Sequence, residues 1–585
     1  MLKNLLRSML RRPAPEGAAA AAHPEHGAAA FRRAAGEARA RGDLGAAETA
    51  WRSALARDPR DAESWMRLGT LCYRAGRLAE AHQYFRAVLE IAPGDTSALN
   101  ELGLVELAFG NRTDARSTFE ALLDRDPEHP RAWNNLGLAL AGQGQLQEAE
   151  RAFRRSLALD PGDAVAAANL GLACRDLNRP EAAREAYARA LEADPDAHGA
   201  RVGLALALQD LGELDAARVQ IDAALARAPE DAQALEAASV LRLRLGDAAG
   251  ALACAERALR VAPDDAEALL ARAHARLAEG RYREGWRDYE ARLRARASPR
   301  RNYALPHWMS DAMPSGRLLV YGEQGLGEQI MFASMLGEFA DRTARGPAAA
   351  LDCAPRLRRL FRRSFPMLRV LDDEAARAAG TRDFDHCIAI GSLARYLRNS
   401  EADFPRHAGY LRADAQAVAG WRTRLAGAPL RVGIAWRGGL PSTGQALRSL
   451  DPEVLGAALR VPGLRWVSLQ HDARAEELAA LAGCASVLHD ADTLADIDRS
   501  AALVAALDLV IVPCSTMAHL AGGLGVPVWV LTPHAAAWRY RLQGETMPWY
   551  PSARLFRQGG GEPWQDVIAR VAEELAGFIP AGRPA

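Results

Sequence analysis

The chain has 585 residues, too many for one hydrophobic core, so roughly two to four domains are expected. Its 73 basic residues balance 73 acidic ones, which removes any global electrostatic attraction to nucleic acid or an anionic membrane. Almost every basic residue is arginine, with Lys3 the only lysine, and this excludes a Walker A phosphate loop and Schiff-base or pyridoxal chemistry.

The first twelve residues, MLKNLLRSMLRR, are interrupted by Lys3 and Arg7 and leave no continuous apolar region for a secretory signal. They read either as a frayed tail or as a short basic amphipathic helix at a membrane surface. Low-complexity PAPEGAAAAAHPEHGAAA follows, so residues 1–27 are expected to be a disordered tail. The seven cysteines (72, 174, 254, 353, 387, 484 and 514) form no CxxC pair and no Cys/His cluster. That pattern suits small buried hydrophobes in a reduced cytosol, with no metal site and no cofactor. The longest apolar-rich stretch, 501–533, is broken by Asp508, Pro513, His519 and Pro527, so it reads as core and not as a transmembrane segment.

From 28 to 299 the sequence repeats. Prolines at 59, 93, 127, 161, 195, 229 and 263 are spaced by 34 residues. Ten residues after each lies a small side chain, from Gly69 and Gly103 to Ala273. Seventeen after comes Gly76, Gly110, Gly144, Asn178, Gly212, Gly246 or Gly280, suited to a left-handed helix end. An alanine column (Ala81 to Ala251) and a large column (Phe85, Phe119, Phe153, Tyr187, Ile221) complete the unit. The pattern predicts two helices per unit, with small residues letting the axes approach and proline stopping the second helix. About eight such units form an α-solenoid, an architecture that holds peptides or partner helices. Leu104, Leu138, Leu172 and Leu206 either line the partner-facing side or pack between units, and Asn135 and Asn169 form a short asparagine column.

After the Pro- and Gly-marked stretch 298–316 the pattern changes to strand–helix alternation. RLLVYG, AAALDCA, MLRVLD and FDHCIAI read as strands, with helices at 328–339 and in LRRLFRRSF. The alternation restarts with RVGIAW, RWVSLQ, SVLHD, LDLVIVP and VPVWVLTP. Two parallel α/β lobes are expected, 300–427 and 428–585, with ligands at the carboxyl ends of strands. Two glycine-rich turns lie there. YGEQGLGEQIMF places Gln324, Gly325 and Gly327 before Glu328, which is either a first-turn helix acid or a cleft carboxylate. CSTMAHLAGG places Ser515 and Thr516 at a helix start, His519 on the same face as Thr516, and Gly522 behind; hydroxyls and free N–H groups there suit a phosphate. Arg437 and Arg448 follow the first strand of that lobe, as phosphate ligands or as solvated loop residues. Gln470, Asp492 and Thr493 fall at strand ends, where they either hold sugar or base groups or serve as a loop polar residue and a helix cap.

The proline-phased array resembles the tetratricopeptide repeat. With GRYREGWRDYEAR, RVGIAWRGG, RSL, SLQ, DADT and AAWRYRLQGETMPWYPSARLFRQ added to the two turns, the remainder resembles GT-B glycosyltransferases related to lipopolysaccharide heptosyltransferases. Repeats followed by a GT-B half are also the architecture of protein O-GlcNAc transferases and bacterial flagellin glycosyltransferases. The resemblance implies two Rossmann-like lobes and a cytoplasmic, metal-independent, inverting transferase using a nucleotide-sugar. Its acceptor would be a protein held by the repeats, with flagellin the best guess. It carries the base role to Glu328, where the family usually has aspartate. Gln324, Gly325 and Gly327 fall on the acceptor side. Arg437, Arg448, Gln470, Asp492, Thr493, Ser515, Thr516, His519, Gly522 and Arg539 fall on the donor side. Cys514 stands where many members have aspartate. Two other readings are a non-catalytic repeat scaffold and a transferase directed at lipopolysaccharide or another glycan.

Overall fold

A computed structural model of the chain describes residues 27–295, 303, 305–312, 316–343, 349–371, 383–404, 406–439 and 445–578. All but the last residue of the expected tail lies outside these, as does part of the 298–316 junction. The described residues fall into two compact units, one ending at Leu204 and the other beginning at Ala205.

Sixteen helices run in eight consecutive pairs from Ala28 to Tyr289. Ten lie wholly in the first unit, five in the second, and His198–Leu211 crosses the division. The proline phase places an acceptor two residues on, which caps the next helix. The carboxylates of Asp61, Asp95, Asp163, Asp231 and Asp265 each accept from a first-turn N–H, and His129 Nδ1 does the same for Ala132. The first helix of each pair ends where φ turns positive, +72° to +82° at Gly76, Gly110, Gly144, Gly212, Gly246 and Gly280, with Asn178 at +57°. Inside each early pair the two columns interlock. A Cβ on Gly103 would lie 2.6 Å from the Phe119 ring, and one on Gly137 would lie 2.5 Å from Phe153, so only glycine admits the ring there. Those rings are essentially fully buried.

The asparagines bond to one another. Asn135 donates to Asn100 (2.9 Å), Asn169 to Asn134 (2.9 Å), and Asn134 to Asn135 (3.4 Å). In the leucine column Leu138 and Leu172 are exposed, while Leu104 is only half-buried against the core of the first unit.

The second unit contains two sheets. The first has the order β3-β2-β1-β4, all parallel, with β1 Leu318–Tyr321, β2 Ala350–Asp352, β3 Arg369–Val370 and β4 His386–Ala389. The second has the order β10-β11-β9-β8-β5-β6-β7. Its strands are β5 Leu430–Ile434, β6 Leu464–Ser468, β7 Val487–Leu488, β8 Leu509–Pro513, β9 Val528–Thr532, β10 Thr546–Met547 and β11 Tyr550–Arg557. Each of the nine stretches read as strands contains one among its described residues. β10 and β11 were not anticipated, since Pro551 argues against a ladder. It sits before the register with β9 begins at Ala553, where no N–H is needed. The helix expected over 328–339 is two helices, Leu326–Ala333 and Leu336–Thr343. Ser334 ends the first by turning both its N–H (3.2 Å) and its hydroxyl (2.7 Å) back onto the Met331 carbonyl.

The last helix pair belongs to the interior of this unit. Ala273, Leu277, Tyr282, Trp286 and Tyr289 share one hydrophobic core with Leu318 and Val320 of β1 and Val510 and Val512 of β8. Trp286 is 1% exposed, donates its indole N–H to the Arg398 carbonyl (2.6 Å), and meets Trp538 edge to face with centroids 5.4 Å apart.

Candidate functional site

At the carboxyl end of β1 the chain turns through Gly322. Glu323 is buried and paired with Arg292 of the repeat terminus (2.9 Å). Gln324 is bonded at both side-chain atoms to the Tyr289 hydroxyl (2.8 and 3.1 Å). Gly325 caps the Leu326–Ala333 helix without a side-chain bond, and Glu328 occupies its first turn.

The Thr516–Leu524 helix, which follows β8, packs directly on this one. Gly327 is what lets it approach: a Cβ there would lie 3.0 Å from His519 Cδ2 and 3.5 Å from Thr516. Arg539 comes from the 3₁₀ turn Trp538–Tyr540, and its Nη2 donates to Glu328 Oε1 at 2.6 Å. Three stretches separate in sequence thus meet at one point, with Arg539 12% and Glu328 28% exposed at the side chain.

Burial works to raise the Glu328 carboxyl. The Arg539 guanidinium, with the residue's own backbone N–H and Arg448 behind it, more than offsets this and holds it below the usual glutamate range. His519 is 4% exposed; burial first, then Arg539, pulls its pKa down to about 3, so the ring is neutral at physiological pH. Its Nδ1 lies 3.1 Å from the Tyr550 hydroxyl, leaving Nε2 as the other hydrogen-bonding atom. His519 therefore acts through a hydrogen bond and not through charge.

Arg448 leans across Gly439, where a Cβ would collide with its guanidinium, and Nη1 donates to the Cys514 carbonyl (3.3 Å). Gly438 presses on Cys514 and Ser515, which brings this loop to the start of the Thr516–Leu524 helix. Ser515 caps that helix through backbone geometry alone, and its hydroxyl is buried with no hydrogen-bond partner, as is Arg539 Nε. Such donors, beside a helix N-terminus, are what an anion satisfies. Burial pushes the Cys514 thiol up to about 11, so it is not a thiolate.

Other residues singled out from the sequence are engaged locally. Arg437 bonds the Asp472 carbonyl (2.7 Å) and Glu477 (3.0 Å). Gln470 accepts from the backbone N–H groups of Trp436 and Arg437 (3.1 and 2.9 Å), bracing the same loop. Thr493 is buried in its own turn, its N–H bonded to Asp490, and Asp492 is exposed beside it. Gly522 has no room for a side chain because the Tyr550 ring lies against it.

Tyr289 and Tyr550 were missed in the sequence. Tyr289 stands in the large-residue column of the last repeat, twenty-six after Pro263, and that column was the signal for it. Tyr550 stands in no repeat column, and its one signal is its place within the quoted stretch AAWRYRLQGETMPWYPSARLFRQ. Among the described residues no three His, Cys, Asp or Glu side chains gather as a metal would need, and no helix is long and apolar enough to cross a membrane.

Tetratricopeptide-repeat family models match residues 33–96 and 100–164, and 140–198 and 175–240, so such repeats run across 33–240. Protein FlbA of Caulobacter vibrioides is 34% identical over 324 residues, covering 52% of this chain and 54% of that protein. The chain spans about half the length of that curated relative. Similar solved structures include pilF of Pseudomonas aeruginosa, 23% identical with TM-score 0.32, covering 36% of this chain and 96% of that one. A tetratricopeptide repeat protein from Parabacteroides merdae is 18% identical with TM-score 0.35, covering 40% of this chain and 93% of that one.

Proposed function

We propose that the chain is an inverting, metal-independent glycosyltransferase of GT-B type. It moves a sugar from a nucleotide-sugar to a hydroxyl of a protein held by its repeats, with flagellin the best single acceptor. The observation that carries this reading is the meeting of Glu328, Arg539, His519 and Thr516 where the helices after β1 and β8 touch, beside the unpartnered Ser515 hydroxyl and Arg539 Nε. The motif order set out above and the tetratricopeptide repeats across 33–240 support it.

In this mechanism the nucleotide's phosphate lies at the start of the Thr516–Leu524 helix. The helix N–H groups, Ser515, Arg448 and Arg539 stabilise the charge that grows as the anomeric bond breaks. Glu328, opposite, takes the proton of the attacking hydroxyl. Neutral His519 positions a donor group through Nε2.

The test is intact mass measurement of flagellin from cells with and without the gene product, and with Glu328→Gln. An added sugar mass that disappears in the variant is expected. Full transfer by Glu328→Gln removes it as the base. A protein that binds no nucleotide-sugar from a panel would instead be a scaffold.

A further inference from the structure

The Glu328–Arg539 pair conflicts with both of its partners' roles. A carboxylate already bonded to a guanidinium is a weak base, and an arginine bonded to a carboxylate has less to offer a phosphate. Arg539 is nevertheless only half engaged: Nη2 meets Glu328, while Nε is buried with no partner. The Ser515 hydroxyl is unpartnered too, and Gly327 keeps the helix it caps in contact with the helix carrying Glu328.

We propose that the donor's phosphate is the switch for the base: on arrival it takes Arg539 away from Glu328, so that donor must bind before the acceptor can be activated. The proposal rests on reading this cleft as the donor site. With Arg539 turned to phosphate, the groups facing Glu328 are neutral His519 from the Thr516–Leu524 helix and the more remote Arg448. Burial then dominates, and the carboxylate becomes a stronger base. In the transfer step the acceptor oxygen bonds to the anomeric carbon and its proton passes to Glu328. The anomeric C–O bond breaks with its electron pair on the phosphate oxygen held by Arg539. When the nucleotide leaves, the proton passes to water and Arg539 returns to Glu328. An empty enzyme thus keeps its base paired.

The exchange predicts that removing the carboxylate tightens nucleotide binding, because Arg539 is then free beforehand. The experiment is isothermal titration of the full chain with CMP, UDP and GDP, run at about pH 5.5 in two buffers of different ionisation heat. Wild type is compared with Glu328→Gln and Arg539→Lys, each first checked for an unchanged thermal melt. The nucleotide that binds wild type is expected to bind Glu328→Gln about tenfold more tightly. Wild type should also take up more protons on binding than Glu328→Gln does. Arg539→Lys should bind more weakly. Unchanged affinity and equal proton uptake in Glu328→Gln overturn the exchange while leaving the donor-site reading intact. Binding of none of the three nucleotides overturns both.

Discussion

Gly327→Ala tests whether the contact between the two site helices sets the chemistry. An added Cβ would lie 3.0 Å from His519 Cδ2, against an ordinary carbon–carbon separation of about 3.5–4.0 Å. The shortfall is at least about half an ångström. His519 is buried and tied to Tyr550, so it cannot swing aside, and the helices must separate instead. Overpacking of this kind costs about 1–3 kcal/mol. Replacing glycine by alanine in a helix returns at most about 1 kcal/mol, and less in a first turn. The net loss is then about 0–3 kcal/mol, a fall in melting temperature of no more than about 6–12 °C. Transfer should suffer far more, since a shift of that size between Glu328 and the phosphate site costs on the order of tenfold or more in rate. The assays are thermal denaturation and single-turnover sugar transfer. A variant that melts higher and transfers at the wild-type rate would refute the reasoning.

The packing of the last helix pair makes a fragment beginning at residue 300 lose Tyr282, Trp286 and Tyr289 from its core, each worth roughly 2–3 kcal/mol of burial. A fragment from Ala205 should be monomeric with a cooperative melt, and one from 300 should aggregate or bind a hydrophobic dye; equal behaviour would contradict the shared core. His519, held near pKa 3, is neutral when folded, while the unfolded chain takes its proton below about pH 6.5. Its contribution to stability is therefore full above that pH and falls as pH drops toward 3, with His274, held at about 4, acting in the same sense. Urea midpoints at pH 7.5 and 5 should converge in His519→Gln relative to wild type, and an identical pH slope in the two would show that the ring is not buried neutral.

Periodicity made the array legible because each column answers one local demand: a stop, a cap, a close approach, a filler. The same regularity hid Tyr289, which occupies a filler position yet bonds Gln324 outside the array. The strands of both sheets were readable as apolar runs bounded by turns, and β11 was not because Pro551 lies in it. Of the site, the residues at strand ends were visible as chemistry, and their pairings were not. Glu328 meets Arg539 across 211 positions, a contact made only by tertiary packing. The loop arginine Arg437 and the cap-side Thr493 were legible as strand-end chemistry, and their bonds to Glu477 and Asp490 were not.

From the second unit to the seventh the two interlocking columns change together, while each end unit sets an alanine sixteen residues before an aromatic, Ala35 before Trp51 and Ala273 before Tyr289. Gly69, Gly103, Gly137 and Gly171 each sit beneath an aromatic ring, whereas Ala205 is followed sixteen residues later by Ile221, and Ser239 by Ala255. In the middle units neither member of such a couple can drift alone: a larger foot meets the ring, and a smaller ring leaves a void. Inheritance must therefore carry them as matched sets, and an engineer shuffling units between these two styles has to exchange both halves of the couple at once.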